Sequence, residues 1–308
     1  MLTPLPVDWA DPPHELIGFI AQFLAAGAVG FRYFALRMPR IEADRPFYDD
    51  AAQRAAILGV IGIALSIALM VVGLPALAAR RHTTAAALLT SDLTTMLQAG
   101  FLIIALIGFV LAGLRGTIGW PLAALGVVVG SLRAVFTGRW ASLVNPVHVL
   151  AGGLWIGTLF VLVTAGLSAL LKNETTRERR GVIAADLVNG FSPLALTMGA
   201  VVVLFGVITA WRHLHVLSNL WSTPYGITLI VKLVFVGTVF TLGAWNWRRQ
   251  RPMLGSEPAA AAIRRSATAE LTVAGVVLVI TALLVSLPAP RPPGAAPRAG
   301  AGAPAARP

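Results

Sequence analysis

Five histidines and six methionines supply the soft and borderline donor side chains of this 308-residue sequence, which contains no cysteine. The best placed is His148, in the stretch NPVHVLAGGLWIGTLF (145–160). His148, Gly152 and Trp155 stand four and then three residues apart, so a helix puts them on one face. Gly153 and Gly157 form a G-x-x-x-G pair on the same helix, which invites close approach of a neighbour. The run continues without a charge to Leu171, long enough to cross a bilayer at about 1.5 Å rise per residue. An imidazole near the mouth of a membrane helix is costly and tends to be functional, as a metal or haem ligand. The plainer alternative is a hydrogen-bonded interfacial histidine that orients the helix above Trp155.

His213 and His215 flank Leu214 in WRHLHVLSNLW. In an extended loop such a pair can chelate a metal, whereas on a helix the two rings diverge. His14, with Asp8, Asp11 and Glu15 nearby, offers a weak binding patch, and His82 stands by itself between two apolar runs. Met70, Met96 and Met198 lie within apolar runs. Imidazole and thioether together suit copper, with Met favouring the cuprous ion, although Met at helical spacing is also ordinary packing. Lys232 sits inside an apolar run about two turns below Tyr225, where snorkelling or a backbone carbonyl would satisfy it. Glu270 and Arg32 are expected at interfacial helix ends.

The elements that must hold these residues are membrane helices. The sequence is 57% hydrophobic and 12% charged, with mean hydropathy +0.79, whereas a soluble domain carries roughly 25% charged residues. The expected fold is all-α and polytopic, with about eight apolar runs: 15–36, 55–79, 93–114, 117–132, 143–171, 187–211, 224–247 and 269–287. The 117–132 run is short for a crossing and is expected to be little tilted, or extended with Arg133 snorkelling. The N-terminal segment lacks the basic region of a cleavable signal peptide, so the first run is expected to remain as a helix. Residues 1–139 form one four-helix half and 140–288 another, and the Pro/Ala-rich segment 289–308 is expected to be disordered. Absence of cysteine rules out disulfides, thiolate metal sites, c-type haem attachment and iron–sulfur clusters in this sequence.

The net charge of +11 is carried in short loops between apolar runs, which is topogenic charge and not a nucleic-acid surface. With both termini outside, the inner loops hold roughly fourteen Lys and Arg (among them Arg37, Arg40 and Arg251) against roughly eight outside, as the positive-inside rule requires. That orientation places every histidine at the outer side. The tryptophans at 9, 120, 140, 211, 221, 245 and 247 are expected in aromatic belts, with Trp155 deeper. No nucleophile elbow, Walker loop, HExxH or dinucleotide fingerprint occurs, so the sequence reads as a non-enzyme.

The motifs HVLAGGLWIGTLF (148–160), FSPLAL (191–196), TPYGITLIVKL (223–233) and LGAWNWRR (242–249), followed by a last helix holding Glu270 and ending at Pro288, resemble the CopD family of bacterial copper-resistance membrane proteins. The resemblance covers about 144–288. It implies copper handling in the inner (cell) membrane, with lipids around the chain and a periplasmic copper-binding partner of the CopC type. His148 is then the likeliest ligand, with Trp155, Tyr225 and Lys232 as further motif positions. No CopC-like β-sandwich accompanies these motifs, so delivery is expected from a separate protein. From the residues, the metal candidates are His148, His213, His215, Met198, Met96 and His14. Two other readings stay open: a haem protein with His148 opposite His213 or His215 as axial ligands, and a non-catalytic helical subunit of a larger membrane complex.

Overall fold

Long apolar runs leave the helix as the way to satisfy backbone polar groups in lipid. The computed structural model of the chain is accordingly helical, with no strand among the described residues. The structure describes residues 9–36, 39, 41–250 and 259–290. Most of the 289–308 tail, and Arg37, Arg40 and Arg251 among the expected inner charges, lie outside the described residues.

Seven helices among the described residues are long and apolar enough to cross a membrane, and an eighth is shorter. In chain order they are α1 (Asp11–Ala35), α2 (Glu42–Arg80), α3 (Leu93–Gly113), the short α4 (Gly119–Val129), α5 (Trp140–Lys172), α6 (Arg177–Leu214), α7 (Pro224–Arg249) and α8 (Ala260–Ser286). Helices α2, α6 and α8 begin well before their apolar runs. Their first turns carry charges, such as Arg45, Asp49 and Arg54 in α2, which hydropathy excludes but helix propensity accepts. Phe47, Tyr48 and Ala51 on that same stretch are buried, and this packing holds it in place.

Helix α4 is about 16 Å long at 1.5 Å per residue. Pairing with α3 compensates for its shortness: Gly108, Gly119 and Gly126 bring the two backbones into direct contact. Two 3-10 turns, Arg133–Thr137 and Trp140–Leu143, then complete the return. They reach the level where α3 begins, for Arg133 donates to Gln98 Oε1 at 3.1 Å and Phe136 stacks on Phe101. The chain therefore starts α3 and α5 from the same end of the bundle.

Helix α1 is the central post, packed against α2, α5 and α8. Gly27 of α1 and Gly157 of α5 touch backbone to backbone, and a Cβ on either would collide with the other helix. The G-x-x-x-G pair thus does bring a neighbour close, and that neighbour is α1. Two π-helical segments interrupt α5, at Gly153–Gly157 and Leu162–Leu167. The densest core lies next to them, with Phe31, Val161, Leu162, Leu167, Leu170, Ile183 and Leu187 almost wholly enclosed. At the opposite end from the histidines, Arg179 pairs with the buried Asp44 at 2.8 Å, tying the start of α2 to the start of α6.

The aromatic belt needs one correction. Trp9, Trp140, Trp211, Trp221, Trp245 and Trp247 are exposed, but Trp120 is 8% exposed and meets Phe109 edge-on at 5.9 Å. It is a core residue of the α3–α4 pair, because the small residues that draw these helices together enclose the ring.

Candidate functional site

The CopD-like motifs meet along a seam between α5, α6 and α7. The seam repeats every seven residues, close to two helical turns. On α6 the repeat is Gly199, Gly206, His213; on α7 it is Tyr225, Lys232, Asn246 with one position between; on α5 it is His148, Trp155.

At the end where α6 stops and α7 starts, His213 stacks on Tyr225 with ring centroids 5.9 Å apart and planes 13° from parallel. His213 Nδ1 also donates to Thr209 O of its own helix at 2.8 Å. Tyr225 is buried with Leu214, Leu229, Leu284 and Leu287. One level deeper, His148 Nδ1 lies 2.9 Å from Val202 O. A carbonyl only accepts, so the neutral ring carries its proton on Nδ1 and leaves the Nε2 lone pair free to bind a metal. Gly206 faces the same ring: a Cβ there would stand 3.0 Å from His148 Cε1. Lys232 of α7 is within electrostatic reach of the imidazole, without a hydrogen bond or ion pair among the described residues.

At the third level Trp155 meets Phe240 of α7 with centroids 4.6 Å apart, and Gly199 of α6 makes room for both rings. At the fourth, the Asn246 amide donates to the Glu270 carboxylate, joining α7 to α8. Helix α7 packs its backbone mainly on α8 and not closely on α5 or α6. The seam is therefore bridged by side chains, and that is where the imidazole, the ammonium and the rings lie.

Several expected groupings do not form. Gly152 meets the Phe23 ring of α1 one regular helical turn after His148, and the π turn begins only at Gly153. The helix runs through Leu214, so His213 is helical while His215 leaves it at φ 59°, exposed to solvent. His213 is thus tied to its own helix through Thr209 O, and His215 lies just past the helix end. His213 lies seven residues beyond Gly206, about 10 Å along α6, so it does not oppose His148 as a second axial ligand would. His14 is exposed on the first turn of α1, and Met96 is 43% exposed on α3, which has no close packing with α5 or α6. Met198, next to Gly199, is the methionine nearest in sequence to a seam position. No group of three or more His, Asp or Glu side chains able to hold a metal occurs among the described residues. All five histidines nevertheless belong to one end: those of α1 and α5 precede their helices' cores, and those of α2 and α6 follow theirs.

Sequence reading missed Gly199, Gly206, Phe240 and Asn246. For Gly199, Gly206 and Asn246 the signal was the shared seven-residue step, which becomes visible only when the helices are set side by side; Phe240 lies one residue off that step.

Residues 185–284 match the family described as Copper resistance protein D. The chain is also 28% identical over 155 residues to a Bacillus subtilis (strain 168) protein called copper transport protein CutJ. That alignment takes in 50% of this chain and 27% of the relative, so the chain spans about a quarter of that protein's length. No solved structure matches the chain. The matches support a likeness to CopD-family membrane proteins, with the family match confined to residues 185–284. The family match begins after His148 and Trp155, so the role of those two residues rests on the seam geometry.

Proposed function

We propose that this CopD-like chain passes copper ions into or across the inner (cell) membrane of a bacterium, entering from the outer, histidine-bearing end. The ion is substrate, not a resident cofactor. The observation that carries the reading is His148: its Nδ1–H is committed to Val202 O at 2.9 Å, which fixes the tautomer with Nε2 free, as second-shell bonds do for metal-binding imidazoles. A single imidazole with no group of three metal donors among the described residues suits hand-over better than storage, since tight sites use three or four ligands. A thioether such as Met198 would take the cuprous ion onward along the seam. The name of the B. subtilis relative and the family description both support copper as the cargo. In this reading a copper-binding partner of the CopC type delivers the ion, both termini are outside, and the protein acts as a transporter with no chemical conversion.

The test is cuprous-ion titration of the purified chain against a chromophoric chelator, with copper accumulation in cells, for the wild type and His148→Ala. Saturable binding and uptake that fall together in the variant support the proposal. Wild-type binding and uptake in His148→Ala overturn the role of His148. Bound iron with a Soret band, in place of copper, overturns the copper reading in favour of haem.

A further inference from the structure

A second polar site lies away from the seam, where α1, α2, α3, α5 and the segment after α4 converge. It is a cavity of about 370 Å³ lined by Glu15, Gln22, Gln98, Ser131, Arg133 and Asn145 over a floor that includes Phe19, Ile63 and Phe101. Small-molecule pockets begin at about 300 Å³. Arg133 is the unusual member. Its two terminal nitrogens donate to neutral acceptors, Gly130 O and Gln98 Oε1, each at 3.1 Å. Its Nε is enclosed without any partner. A guanidinium has five N–H donors, and no carboxylate pairs with this one among the described residues. This partly buried guanidinium therefore lacks the counter-charge that would offset its desolvation. Glu15 lines the same cavity, yet it forms no ion pair with Arg133.

Two opposite charges that share one cavity unpaired are complementary to a ligand carrying both. We propose that this cavity binds a small zwitterion, its oxyanion on Arg133 and its ammonium group at Glu15, with Gln98, Gln22 and Asn145 as neutral hydrogen-bonding partners. A free α-amino acid has this chemistry, and so does the phosphoethanolamine headgroup of a lipid. The Gln22 amide already donates to Ser131 Oγ at 3.4 Å, and Ser131 in turn donates to Val127 O, so the wall next to the arginine is held in place. The site is independent of copper: none of its lining residues belongs to the seam.

The experiment is thermal unfolding of the purified full chain in detergent with added glycine. In parallel, native mass spectrometry follows chain reconstituted in nanodiscs of phosphatidylethanolamine or of phosphatidylglycerol. The proteins are the wild type, Arg133→Met and Glu15→Gln. Glycine raises the wild-type Tm, or phosphatidylethanolamine is retained in preference to phosphatidylglycerol; the first result identifies a free ligand and the second a headgroup. Each variant weakens the effective probe at least tenfold, and Arg133→Met without ligand melts no lower than the wild type, because it removes an uncompensated charge. If Arg133 were only a brace for the α4 extension, that variant would melt lower and neither probe would distinguish it from the wild type. That outcome overturns the proposal. Inorganic phosphate or phosphatidylglycerol bound as well as the zwitterions, with Glu15→Gln indifferent, overturns it too.

Discussion

Substituting Gly206 by alanine separates the position of His148 from the stability of the fold. The new methyl would stand 3.0 Å from Cε1 and 3.4 Å from Nδ1 of His148. Carbon atoms pack best at about 3.5–4.0 Å, so the ring must retreat by a few tenths of an ångström. That retreat is taken from the 2.9 Å bond to Val202 O. Such a bond contributes about 0.5–1.5 kcal/mol, so weakening or breaking it lowers copper affinity roughly two- to tenfold, at 1.4 kcal/mol per decade. Against this, alanine gains about 0.5–1 kcal/mol over glycine inside a helix. The expected result is a Tm equal to or above the wild type, with chelator competition reporting a weaker copper Kd. An unchanged Kd with an unchanged Tm would refute the argument that the Val202 bond sets the ligand. A Kd that weakens only in step with a falling Tm would refute it as well, by pointing to general loosening.

Three further outcomes follow from the packing. Gly157→Leu drives a side chain into the backbone of α1 at Phe23 and Gly27, and overpacking of this kind costs about 1–3 kcal/mol, measured as a lower Tm of the purified chain. Asp44→Ala leaves Arg179 without the buried partner now 2.8 Å away; stability should fall by about 1–3 kcal/mol, and Asp44→Asn should recover part of it. Asp92 caps α3 by accepting from the Thr95 hydroxyl and amide, and these bonds, with the Arg81 guanidinium, hold its carboxyl below the usual value. A lowered folded-state value makes the contribution present above the unfolded value near 3.8 and lost as pH falls below it. Asp92→Ala should cost about 0.5–2 kcal/mol at neutral pH and flatten the acid limb of the Tm profile.

Much of this architecture could be read from hydropathy, because a helix long enough for the bilayer must be apolar over most of its length. Hydropathy is blind to charged turns that stay helical, which is why α2, α6 and α8 start earlier than their apolar runs. It also could not tell that Trp120 is enclosed, since the small residues around it are apolar wherever they lie. His148 stood out because imidazole is costly in a membrane, and the G-x-x-x-G contact was legible because only a backbone fits there. The fate of His213 and His215 turned on one dihedral, the positive φ at His215 that ends α6. Gly206 carried no signal of its own. An unsubstituted carbon gains meaning only when the ring it accommodates, 58 positions earlier in the sequence, is known. The charges of Arg133 and Glu15, without an ion pair among the described residues, were hidden for the same reason, being distant in the chain and joined by a void.

Helix α7 has an unequal mooring. Along one side it is bound to α8 by backbone packing, and along the other it touches α5 and α6 through stacked or tilted rings at Tyr225 and Phe240 and through the charge of Lys232. Ring faces slide more readily than interlocked backbones separate. The three contacts belong to one continuous helix, Phe240 standing about 80° round from Lys232 at 3.6 residues per turn. If ions pass along this seam, as proposed above, the width available at His148 and the width available at Trp155 are not independent quantities, because one helix borders both.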